Sequence, residues 1–155
     1  MDLSGLRWTK NINHKGNDKY WAYQDIEQDL KRFHLNWRTE QKDNASKPNK
    51  GDLILLRQRA KVTHIVEILD NKPKQYEENT VTEFSIYRLV QTIWITDDWN
   101  FPPESNIVFG YHVHLQGGKV MKLETLPTFK KHWDSQGGLS EFQNHILKIL
   151  KLDKQ

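Results

Sequence analysis

The chain has 155 residues, is 36% hydrophobic and 28% charged, and carries a formal net charge of +3. That length suits one domain spanning 1–155, large enough to bury a core unaided, and the absence of cysteine excludes disulfides, thiolate metal sites and cysteine nucleophiles. No run of apolar residues is long enough to span a bilayer, and the N-terminal stretch lacks the apolar centre of a secretory signal, so the expectation is a soluble, cytoplasmic protein.

In chain order, Ile26, Leu30 and Phe33 recur at helical spacing and predict a helix over Asp25 to His34. The polar stretch 39–51 has almost nothing to bury and reads as an exposed loop. Leu53 to Leu56, four consecutive apolar residues behind Gly51, is too short for a core helix and reads as a strand buried on both faces. The β-branched run Val62 to Leu69 is its antiparallel partner, with Gln58 to Lys61 as the hairpin connection.

Residues 84–95 form a long, bent strand with Phe84, Ile86, Val90 and Trp94 on one side and Tyr87, Leu89, Ile93 and Ile95 on the other. Pro102 and Pro103 mark a rigid loop. Residues 107–115 read as another strand, bulged at Gly110, which turns through Gln116 to Lys119 into a hairpin with 120–126. Ser140 and Gln143 fit a capping box for a C-terminal helix whose Phe142, Ile146, Ile149 and Leu150 share a face. The sum is an α+β domain: a small, mostly antiparallel curled sheet or barrel of five or six strands with flanking helices.

An N-terminal Trp-bearing segment, Asn36-Trp37, the block from Lys50 to Arg57 with its Gly51-Asp52, the strand Val62 to Ile68 and Trp94 together resemble the PUA-like superfamily, and within it the EVE and YTH-like domains, over roughly residues 20 to 125. The resemblance implies a compact barrel that holds a flipped, modified base in an aromatic pocket, as in the N-terminal modules of modification-dependent restriction systems. It implies nucleic acid as partner, modified DNA ahead of RNA, a fused or associated effector domain, no cofactor and no catalysis. The strand Val62 to Ile68 departs from the pattern, with His64 and Glu67 where small residues are usual.

An extruded base needs aromatic faces and hydrogen bonds to its edge. The chain has six tryptophans. Trp37 and then Trp99 are the first candidates for pocket walls, followed by Trp21 and Trp94, with Trp8 also available; each could equally fill core. Asn36 and Asp98 are candidates to read the base edge or to cap turns. Lys10, Lys15 and Lys19 with His14, and Arg57, Arg59 and Lys61, are the candidate phosphate contacts, or a solvated surface.

His112 and His114, two apart on the expected strand, could share a metal ion with His64 or Glu67, the basis of an alternative metal-dependent or otherwise catalytic domain. A further alternative is a domain that docks a protein or small molecule on its tryptophans. Phosphate-binding glycine loops, the Gly-x-Ser-x-Gly elbow and the His-Glu-x-x-His motif are all absent, and Asp97-Asp98 is a poor carboxylate pair because adjacent loop residues seldom aim at one atom.

Overall fold

The computed structural model describes residues 1–13, 20–24, 31–77 and 83–153. Their strands are β1 (Leu6–Asn11), β2 (Arg32–Trp37), β3 (Leu53–Gln58), β4 (Lys61–Ile68), β5 (Lys74–Gln75), β6 (Ile86–Ile95) and β7 (Val120–Lys122). The helices are α1 (Lys42–Ala45), α2 (Ser105–Phe109), α3 (Pro127–Trp133) and α4 (Gly138–Ile149). The strands form one curled sheet in the order β2-β6-β4-β3-β1-β7, with β5 on β6. All pairings are antiparallel except β1 with β3, which makes the sheet mixed.

The expected β3–β4 hairpin forms, and β3 is buried along its whole length because its faces meet different cores. Leu53 and Leu55 pack with Phe109, Phe129, Trp133 and Phe142 beneath the helices. Ile54 and Leu56 point the other way, into the barrel, with Trp8, Leu35, Trp37, Val66 and Val90. The two-residue turn places Arg59 and Ala60 at φ 53° and 60°. This left-handed pair matches the twist of the flanking strands, although neither residue is the Gly or Asn that such a turn favours.

The sheet curls into a half-barrel, and one amide side chain bridges its two edges, β2 and β7. Asn44 of α1 accepts hydrogen bonds through Oδ1 from Trp37 Nε1 at the end of β2 (2.9 Å) and from the Val120 amide of β7 (2.7 Å), and its Nδ2 donates to the Val120 carbonyl (3.0 Å). Helix α1 is itself anchored by fully buried Arg88 of β6, which donates to the Ala45 and Pro48 carbonyls (both 2.8 Å) and pairs with Asp70 (2.6 Å).

Several sequence expectations are corrected. Residues 25–30 of the expected first helix lie outside the described residues, but Phe33 and His34 belong to strand β2, where Phe33, Leu35 and Trp37 alternate toward the interior. The polar stretch 39–51 is not simply an exposed loop, since it holds α1, buried Ala45 and buried Pro48. Residues 107–109, the start of the expected strand, belong to helix α2, with Gly110 at φ 83° as its left-handed cap, and 111–115 are irregular. Val120–Lys122 therefore pairs with β1, not in a hairpin. The C-terminal helix exists, but Gly137 caps it and Ser140 lies inside it, so the Ser140–Gln143 box does not form. Among the described residues no helix is long and apolar enough to cross a membrane.

Candidate functional site

One end of the barrel opens into a cleft of about 720 Å³. Its walls come from the end of β1, the segment 20–24, the end of β2 and residues just beyond it, the β3–β4 turn, Phe84 and the loop 115–118. Lys10, Arg38, Arg57 and Arg59 line it, and among the described residues no carboxylate does. Amides contribute much of the remaining polarity, notably Asn11, Asn36, Gln41 and Gln58, while Tyr23 and Phe84 supply aromatic surface.

Local bonding fixes these groups. The Gln58 side chain accepts from the Ala22 amide (2.7 Å) and donates to the Ala22 carbonyl (3.2 Å) and Thr63 Oγ1 (3.0 Å), which docks the segment 20–24 on β3. Tyr23 Oη accepts from the Asn36 amide (3.1 Å) and donates to Asn36 Oδ1 (3.0 Å), while its ring stacks on Phe33 at 4.3 Å. Burial drives the Tyr23 phenol well above its ordinary value and keeps it neutral. His64, fully buried beside Tyr23 and Trp99, lies within hydrogen-bond distance of Thr63 Oγ1 (2.8 Å) and the Tyr23 carbonyl (3.0 Å); burial holds its pKa down to about 4, so it is neutral near pH 7.

Lys10 and Arg57 are the buried cations of the cleft, 3% and 6% exposed. Lys10 Nζ donates to the Gly118 carbonyl and sits 4.8 Å above the Trp37 ring. Burial pulls its pKa from 10.5 down to about 7. Arg57 donates from Nε to Ser105 Oγ (2.9 Å) and from Nη1 to Asn11 Oδ1 (2.6 Å). Asn11 in turn donates to the Leu115 and Gly117 carbonyls, which ties the loop to β1. At the rim, Arg38 is engaged by Glu40 and Glu83, whereas Arg59 donates to the Tyr20 carbonyl and lies 4.6 Å over Trp21.

The structure distributes the sequence candidates unevenly. Asn36, Lys10, Arg57 and Arg59 line the cleft. Trp37 is fully buried beneath Lys10 and presents no free face, and Trp94 packs against the helix-side core. Trp21 and Trp99 approach each other at 6.0 Å beside Arg59, just outside the cleft lining. Trp8 is buried and donates to Asp52. Asp98 caps a turn, its Oδ1 accepting from the Asn100 and Phe101 amides (3.0 and 3.2 Å). Lys61 pairs with Glu104. His14, Lys15 and Lys19 lie outside the described residues.

The His112 and His114 rings do lie 4.3 Å apart, in an irregular segment rather than on a strand, while His64 is buried on β4 against Tyr23. Among the described residues no three His, Asp or Glu side chains come together as ligands. Sequence reasoning missed Tyr23, Phe84, Arg38, Asn11, Gln41 and Gln58. One signal was present: Lys10 interrupts the period-two run Trp8, Lys10, Ile12, a charge placed on an inward-facing row. Compared with known proteins, the chain matches no protein family, no curated sequence and no solved structure.

Proposed function

We propose that this chain is a non-catalytic nucleic-acid recognition module that receives one flipped, modified base in the cleft at the open end of its barrel. The observation that carries this reading is the lining: cations, amides and two aromatic rings, with no carboxylate among the described residues. Such a surface suits a ligand that is anionic overall and has a flat, hydrogen-bonding part. Asn and Gln side chains can pair with base edges, and of the cleft amides Asn36 is the best placed to do so, since its Nδ2 bonds are long at 3.4 and 3.5 Å whereas Asn11 and Gln58 are spent within the fold. Tyr23, backed by Phe33, and Phe84 offer stacking surface, worth ~1–3 kcal/mol per base. Arg59, free of any carboxylate partner among the described residues and adjoining Trp21 and Trp99, stands where a flanking phosphate would pass.

Among the described lining groups Lys10, with a pKa of about 7, is the one able to move a proton near neutrality. The cleft holds neither a carboxylate nor a histidine among the described residues, and Tyr23 is locked neutral. The PUA-like resemblance of the sequence favours DNA over RNA and an associated effector domain.

Fluorescence titration with short oligonucleotides, with methylated or hydroxymethylated bases against unmodified controls, tests the reading. The expected result is a preference for one modified base, binding that weakens as salt rises, and a salt slope smaller by about 1 in Arg59→Ala. Indifference to every oligonucleotide at low salt would refute it.

A further inference from the structure

The helix-side core covers the outer face of the sheet at β3 and β4, where Leu53, Leu55 and Ile65 meet Phe109, Phe129 and Phe142. The outer face of β2 and the first half of β6 carries a different surface. Phe33, Leu35 and Trp37 turn inward, so Arg32, His34 and Asn36 turn outward, and their ladder partners Gln91, Leu89 and Tyr87 share that face. Arg32 and His34 are exposed, and the other four are half-buried. Lys74 of β5, also exposed, stands opposite Tyr87 on the same face.

A triad of rings assembles there. Tyr87 stacks against His34 at 4.1 Å with 22° between the planes, and against Tyr76 at 4.6 Å with 25°. Tyr76 Oη reaches across β6 to within 3.1 Å of His34 Nδ1 and 3.4 Å of Asn36 Nδ2. None of these rings belongs to either core cluster, and exposed His34 and half-buried Tyr76 keep ring surface open to solvent. Aromatic side chains laid on a sheet face are a geometry with which proteins stack unpaired bases. Rings already held by one another lose little freedom when a base arrives.

Position narrows the occupant further. Asn36 lines the cleft, where Tyr23 bonds its amide and its Oδ1, and it stands directly opposite Tyr87 in the β2–β6 ladder. The triad therefore begins where the cleft wall ends. Arg32 and Lys74 have no carboxylate partner among the described residues, while Glu77 after Tyr76 and Glu67 opposite Gln91 border the same face.

We propose that His34, Tyr76 and Tyr87 form a second stacking site, outside the cleft, for an unpaired base neighbouring the one that the cleft receives. This rests on the preceding reading and deepens it: the ligand is a single strand rather than an intact duplex, and Arg32 and Lys74 flank the rings for its phosphates.

Fluorescence anisotropy and nuclear magnetic resonance of the whole chain test this with a short oligodeoxyadenylate and an abasic strand of the same length and charge. The expected result is roughly five- to ten-fold tighter binding of the adenylate, with the ring protons of His34, Tyr76 and Tyr87 moving upfield. Tyr76→Leu is expected to remove most of that difference while the abasic strand binds as before. Tyr76→Phe keeps the ring and is expected to retain the difference, and thermal melting checks that both variants fold. Equal affinity for the two strands, or a preference unchanged in Tyr76→Leu, overturns the stacking site; cleft amides that still shift with a modified oligonucleotide then leave the cleft reading intact. Upfield shifts at the triad with the cleft amides unmoved by every modified oligonucleotide keep the stacking site and remove the cleft reading.

Discussion

Arg88→Met is expected to remove ~3–5 kcal/mol of folding stability, the largest loss of any single substitution considered for this chain. Arg88 is fully buried, and its guanidinium is almost completely satisfied: Nε donates to Asp70 Oδ1 (2.6 Å), Nη1 to the Ala45 and Pro48 carbonyls (2.8 Å each) and Nη2 to the Asp70 carbonyl (3.0 Å). Methionine fills much of the volume but leaves the Asp70 charge and two buried carbonyls without their donor. Asp70 retains the Leu89 amide at 2.8 Å, so its carboxylate is not wholly abandoned. Against a typical total of ~5–15 kcal/mol, the loss is expected to move the urea midpoint down by ~1 M or more. Adding Asp70→Asn to Arg88→Met is expected to recover part of it, because the uncompensated charge disappears. A midpoint unchanged within error would show that the Arg88 network does not hold α1 in place.

Asn44→Ala is expected to cost ~2–4 kcal/mol, by leaving the Trp37 indole N–H and both backbone groups of Val120 without partners at the seam of the barrel. The loss should be local in character. Hydrogen exchange at the Val120 amide and the Trp37 indole is expected to quicken more than exchange in β3 and β4, whose ladder the seam does not touch. Asn44→Asp preserves the acceptor but turns a carboxylate oxygen toward the Val120 carbonyl, which Nδ2 now bonds at 3.0 Å, so it is expected to recover little of the loss. Equal exchange rates in Asn44→Ala and the parent would mean that the seam closes without this side chain. The consequence reaches the cleft, since Lys10 rests on Trp37 and Trp37 is held by Asn44.

What could be read from the residues follows a physical pattern. The β3–β4 hairpin was legible because each strand is a continuous apolar or β-branched run and the connection between them is short. The C-terminal helix was legible through the helical spacing of Phe142 and Ile146, but its start was not, because Gly137 at φ 119° supplies the cap in place of a hydroxyl. Residues 107–109 carry strand-forming side chains yet form a helical turn: Val108 and Phe109 are needed in the core beneath α4, Ile107 is left exposed, and Gly110 ends the turn. Tertiary packing overrides propensity there. Helix α3 was missed although Pro127 at its first turn, with Phe129 and Trp133 four apart, signals it.

The site was less legible than the fold. Aromatic abundance drew attention to tryptophans, but an indole is as useful in a core as in a pocket, and Trp37 and Trp8 went to the core. The groups that do line the cleft are spread from Lys10 to Gly118 and meet only because the sheet curls. Asn11, Gln58 and Tyr23 earn their places through contacts at long sequence separation, which no local spacing encodes. Lys10 was legible as a candidate phosphate contact, and only its place between Trp8 and Ile12 on one inward-facing row pointed to its burial.

Amide chemical-shift mapping of the isotope-labelled chain, titrated with the best-binding modified oligonucleotide, tests the cleft assignment most directly. The largest shifts are expected at Asn11, Asn36, Gln58, Ala60 and Gly117, with the Trp21 indole N–H moving in step and the α3–α4 surface unchanged. Saturable binding whose shifts fall on the α3–α4 surface and leave those cleft residues still would contradict the account.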